Sequence, residues 1–137
     1  MVPVVSRGKE QQETIQLVDA LAAAGVSRER VRILFNRVDA DVRDEFAPVL
    51  IYAKQRQTCI ANPAAALYET ELCDLLAAKR LSIGALMADE TDYRVRLRTI
   101  DKGDAKAIAH YSDMHALKLL AKAAAPQFDR AFAALFA

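Results

Sequence analysis

The chain has 137 residues, of which 53% are hydrophobic and 27% charged. That is enough for one domain with a real core, and it excludes a disordered chain. The net charge of +1 gives no overall attraction to DNA or anionic lipid, so any such binding needs a local patch. No apolar run reaches the eighteen residues a spanning helix needs. The opening residues MVPVVSRGKEQQ do not have the build of a secretory signal. The expected location is the cytoplasm.

Val2-Pro3-Val4-Val5 reads as a short buried strand, with Pro3 tolerable at an edge or a strand end. Residues 9–24 carry Ile15, Val18 and Ala22, and again Leu17, Leu21 and Ala24, at helical spacing, and Gly25 stands where a helix C′ residue belongs. Residues 31–36, VRILFN, form an apolar run with little alternation, which suits a central parallel strand covered on both faces. A helix is expected over 41–57, kinked or split by Pro48.

Thr58-Cys59-Ile60-Ala61 is a third strand candidate, closed by Asn62-Pro63, and a helix is expected over 66–79. Ser82 is positioned to cap the short helix SIGALM. From 92 onward the pattern is helical throughout, with its strongest periodicity over 104–124 and a break at Pro126 before a last short helix. The order β-α-β-α-β-α followed by helices predicts an α/β fold with parallel strands and right-handed crossovers. Cys59 and Cys73 have no metal-ligand spacing and are expected as buried, reduced thiols.

Val2-Pro3-Val4-Val5, the helix with Lys9, Gln11, Gln12, Thr14 and Ile15, and Leu34-Phe35-Asn36-Arg37-Val38 follow one another in an order that resembles the later part of the ParA/MinD-like P-loop ATPases. The likeness is nearest to the StbB-type plasmid stability proteins. Ile60-Ala61-Asn62-Pro63 resembles the loop after that family's next strand, and Thr91-Asp92-Tyr93 resembles the start of its helical tail. The resemblance covers nearly the whole chain. It implies a partial, doubly wound parallel sheet of three strands over residues 1–90, with a helical tail over 91–137 packed on the same domain. It further implies plasmid partition as the function, with ATP and Mg²⁺ as the parent family's ligands. The implied partners are a second copy, a plasmid-encoded DNA-binding adaptor and non-specific DNA.

One departure is large. The family's phosphate loop needs G-x-x-x-x-G-K-[ST], and this sequence, with only Gly8, Gly25, Gly84 and Gly103, has no such run. Consecutive backbone N–H groups and a lysine are what hold β/γ-phosphates, so ATP hydrolysis by this chain alone is not expected.

By resemblance Asn36 reads adenine at the carboxyl edge of the sheet, where a side-chain amide offers both a donor and an acceptor; the residue could equally cap the turn after its strand. Asn62 and Pro63 are the implied neighbouring wall, or an ordinary Asn-Pro turn. Lys9 and Gln12, with Gln11, open a helix near the implied nucleotide and dimer interface, or are simply solvated. No catalytic residue and no metal ligand is expected: His110 and His115, five apart on a helix, diverge by about 140°. Arg94, Arg96, Arg98, Lys102 and Lys106 form a basic stretch interleaved with Asp92, Asp101 and Asp104, which reads as a solvated face or a DNA contact.

A second reading is a free-standing interaction module that kept the fold without the enzyme. A third, an unrelated α/β domain, is separated by strand order. A partition-type sheet sets the 31–36 strand beside the 2–5 strand in parallel.

Overall fold

A computed structural model describes residues 1–137. Its elements are β1 (Val2–Val4), α1 (Gly8–Ala23), β2 (Ile33–Val38), α2 (Val42–Glu45), α3 (Ala47–Arg56), β3 (Ala66–Tyr68), α4 (Leu72–Lys79), α5 (Ile83–Ala88), α6 (Tyr93–Thr99) and α7 (Ala105–Phe136). The chain forms two compact units. The first comprises residues 1–69 and 127–137, and the second residues 70–126. Residues 70–90, expected with the sheet, group with α6 and the first part of α7. No helix is long and apolar enough to cross a membrane.

In the first unit the sheet order is β1-β2-β3, and both pairs are parallel. The 31–36 strand therefore lies beside the 2–5 strand in parallel. The Val2 N–H donates to the Arg32 carbonyl at 2.8 Å. Strand residues alternate in direction, so Pro3 turns its missing N–H to the open edge, where no ladder bond is lost. β1 has β2 as its only neighbour.

The two faces of β2 differ. Ile33, Phe35 and Val38 are buried, while Leu34 and Asn36 are only half-buried, so full cover on both faces is not what this strand has. On the buried face Phe35 and Phe46 meet edge to face at 5.1 Å, both with no exposed surface. Val18, Val42, Val49 and Ala53 complete this core from α1, α2 and α3. Burying one such phenylalanine contributes about 2–3 kcal/mol.

α1 ends as the sequence predicts. Gly25 has φ of 84°, its N–H donates to Ala22, and the Val26 N–H reaches back to Leu21. These two bonds define a Schellman end, and only glycine takes that φ without cost. Pro48 does split the 41–57 segment, entering at the first turn of α3, where a missing N–H is harmless.

Two expectations fail. The Thr58–Ala61 strand is reduced to one bridge, Ile60 with Arg32. The ladder then breaks at Asn62-Pro63 and resumes as β3, within residues expected to be helical. The Asn62 carboxamide oxygen accepts from Ala64 N at 3.1 Å and forms the turn that interrupts it. Small Ala65 and Ala66 fit against the buried face, and the helix waits until Leu72.

Pro126 does not end α7, which runs on to Phe136. The ring costs the Lys122 carbonyl its partner, but Lys122 and Pro126 are both exposed, so water can take that place. The alanines on either side favour helix strongly. The chain is also not helical throughout after 92: Asp101 and Gly103 make a turn between α6 and α7.

In the second unit Leu72, Leu76, Leu86, Tyr93, Met114 and Leu117 are buried. Ser82 caps α5, accepting from Ala85 N at 3.0 Å, as expected. Cys59 is buried and its thiol is pushed up by that burial, but Cys73 is exposed. Cys73 follows the buried Leu72 on α4 and so turns outward, which corrects the expectation of two buried thiols.

Candidate functional site: the carboxyl edge of the sheet

Parallel strands leave a crevice beyond their carboxyl ends. Here it has a volume of about 380 Å³ and is lined by Val5, Ser6 and Arg7 after β1, Glu10 of α1, Arg37 of β2, and Glu69 after β3. The lining is mostly polar and charged, with two arginines and two glutamates.

Arg37 owes its position to a bulge. The β2–β3 register slips between Asn36 and Val38, and Arg37 takes a left-handed φ of 56°. Bulges re-aim side chains at sheet rims, and such a φ costs a non-glycine residue about 1 kcal/mol or more. The guanidinium grips Glu69 with three hydrogen bonds of 2.9 to 3.2 Å. The Arg37 contact holds the Glu69 carboxyl below the usual carboxylate range.

Two further groups stiffen the rim. The Gln11 side chain is 4% exposed, and its Nε2 donates to the Ser6 carbonyl at 2.7 Å and to the Glu45 carbonyl at 2.8 Å. Its Oε1 is buried without a partner. Gln11 is therefore not a solvated helix-opening residue. It ties the start of α1 to the loop after β1 and to the end of α2. The Glu45 carboxylate in turn gathers the N–H groups of Ala40, Asp39 and Asp41 at 2.6 to 3.1 Å, and the Ala40 bond chiefly lowers its pKa.

Asn36 lies in the strand rather than at its end, since β2 continues to Val38. Its Oδ1 accepts from Arg37 N at 3.0 Å. That leaves the Nδ2 donors and one lone pair of the amide oxygen. The residue lines a second cleft, of about 460 Å³, at the open edge of β1, and this cleft shares Val5 and Glu10 with the first.

The other expected site residues are not gathered there. The Asn62 amide donates to the Ala134 carbonyl at 3.1 Å and shapes its own turn. Pro63 lines a different cleft with Tyr68, Gln127 and Arg130. Lys9 and Gln12 are exposed on α1, and Lys9 pairs with Glu13 at 3.7 Å, one turn along the helix. No group of three or more His, Cys, Asp or Glu side chains could hold a metal ion.

The basic stretch belongs to the second unit. Arg94, Arg96 and Arg98 are exposed on α6, while Asp92 caps α6 and Asp104 caps the start of α7. That unit also holds a cleft of about 470 Å³ lined by Met87, Asp89, Tyr93, His115, Lys118 and Leu119 among others. Lys118 donates to the Asp89 and Thr91 carbonyls and lies 5.4 Å from the Tyr93 ring, and the Tyr93 hydroxyl donates to the Asp89 carboxylate. The Tyr93 bond is the main reason the Asp89 pKa falls to about 2.

Sequence reading missed Arg37, Glu69 and the burial of Gln11. Each acts through a bulge or a long-range backbone contact, neither of which leaves a periodic trace. Comparison with protein-family models, with curated proteins and with solved structures gives no match to this chain.

Proposed function

We propose that this chain is the carboxy-terminal part of a plasmid-partition ATPase of the ParA/MinD-like, StbB type, acting in the cytoplasm. In this reading it carries the base-contacting edge of a nucleotide site and none of the phosphate chemistry. The observation that carries the reading is the parallel β1–β2 pair, joined through α1, with Asn36 lining a cleft at β1's open edge. A free strand edge beside a ligand cleft is where a further parallel segment bearing a phosphate loop would dock. The Asn36 amide retains donors and a lone pair for an adenine edge.

Without a glycine-rich loop the chain lacks the donors that stabilise charge on a transferring phosphoryl group. Purified protein is therefore expected to release no phosphate from ATP above a denatured control. Calorimetric titration with adenosine and ATP tests the base contact. Weak binding of both, reduced about 10-fold in Asn36→Ala, agrees with the reading; equal affinity in the two proteins refutes it.

A second reading, a non-enzymatic interaction module, is favoured by a separate observation. Phe132 and Phe136 stand 67% and 56% exposed on the last turns of α7. No nucleotide binding at millimolar concentration would leave that reading in place.

A further inference from the structure

The outer edge of β3 is covered, and the element that covers it carries an unpartnered face. The Gln127 Oε1 accepts from Tyr68 N at 3.1 Å, and the Arg32 Nη1 donates to the Leu135 carbonyl at 2.8 Å, so the last turns of α7 are fixed to the sheet unit. Ala131 and Leu135 point inward, 2% and 3% exposed. Phe132 and Phe136 point outward, with ring centres 4.8 Å apart. The two neighbouring, largely exposed rings make one small apolar patch on a helix tied to the sheet unit at two points.

The charges beside them suggest what covers it. At about 100° per residue, Asp129, Phe132 and Phe136 fall within a sector of about 60°. Asp129 is exposed and takes part in none of the chain's ion pairs. At the other end the Arg32 guanidinium lies 5.8 Å from the Phe136 ring centre. The stripe is thus acidic at one end, aromatic in the middle and basic at the other. An isologous two-fold contact needs such a self-complementary patch. An antiparallel crossing centred between residues 132 and 133 sets Asp129 of each copy opposite Phe136 and Arg32 of the other.

We propose that a second copy of this chain covers this face, through antiparallel pairing of the final turns of α7. The surface lies at the β3 side of the sheet, the opposite edge from the Asn36 cleft, so the contact is independent of nucleotide. The two rings offer on the order of 250 Å² per copy, against about 800 Å² in a standard interface. The dimer is therefore a weak one.

Sedimentation equilibrium from about 10 µM to about 1 mM, without nucleotide, tests it. The wild-type chain is expected to pass from monomer to dimer over that range. Phe132→Ser and Asp129→Arg should each weaken the dimer at least 10-fold, with far-UV circular dichroism and thermal midpoint unchanged. The double variant Asp129→Arg/Arg32→Asp should recover part of the loss; Arg32 also holds Leu135, so full recovery is not expected. A chain monomeric at 1 mM overturns the proposal. So does a dimer that survives Phe132→Ser, or one that is indifferent to Asp129→Arg. A dimer broken instead by Val5→Pro at the open edge of β1 would place the contact elsewhere and also overturn it.

Discussion

The two units are held by different means. In the sheet unit a parallel ladder aligns Val2, Val4, Ile33, Phe35 and Val38 on one face, and three helices close it with Val18, Phe46 and Val49. In the helical unit the buried side chains are fewer, and Met87, Val95 and Leu119 remain half exposed or more. Its ties are polar: Lys118 on two carbonyls, Tyr93 on Asp89, and Lys79 on Asp113 at 2.9 Å. Apolar burial is non-directional and cooperative, whereas each polar tie contributes little net free energy. The sheet unit should therefore open last, and the helical unit should open locally under milder conditions.

Core truncation is the strongest way to break that contrast. Phe35→Ala should cost about 4 kcal/mol, read from chemical denaturation, and Leu117→Ala in the helical unit about 2 kcal/mol, because a thinner core relaxes around the gap. A larger loss at Leu117 would invert the comparison. Pro126→Ala comes next. It restores an N–H to the Lys122 carbonyl and should raise stability by up to about 3 kcal/mol; no gain would mean the helix bends there to a purpose.

Much of this contrast was legible in the sequence, and some of it was not. Helix ends with a chemical signature were readable: Gly25 at a left-handed turn, Ser82 as a cap, Pro48 at a first turn. So was the parallel pairing of the strands, because alternating strands and helices admit few topologies. The third strand was misplaced, because Ala65 to Tyr68 carries no β-branched residue and owes its conformation to pairing with β2. The break expected at Pro126 failed because propensity is a weak prior against a helix fixed at its far end by Gln127 and Arg32. For the site, Asn36 could be singled out by the resemblance, and it lines the neighbouring cleft rather than the carboxyl-edge crevice itself. Arg37 and Glu69 could not, since their meeting depends on one bulge and a partner 32 positions away.

The smallest expected effect sharpens the polar side of the comparison. Asp89 has its pKa depressed from an ordinary 3.8 to about 2, chiefly by the Tyr93 hydroxyl. A carboxyl so depressed contributes stability that is present above its unfolded value and lost as pH falls through its folded one. Tyr93→Phe should therefore lower stability at neutral pH, with the difference from wild type shrinking between about pH 4 and pH 2. A difference that stays constant across that window would mean the phenol acts by packing alone.

The measurement closest to the central claim is nuclear magnetic resonance of the labelled chain titrated with ATP. If nucleotide meets the sheet unit at its open edge, the amides of Val4, Val5 and Asn36 shift progressively, while those lining the helical unit's cleft, from Leu86 to Lys122, stay still. Shifts confined to Leu86–Lys122, or none at millimolar ATP, would contradict the account.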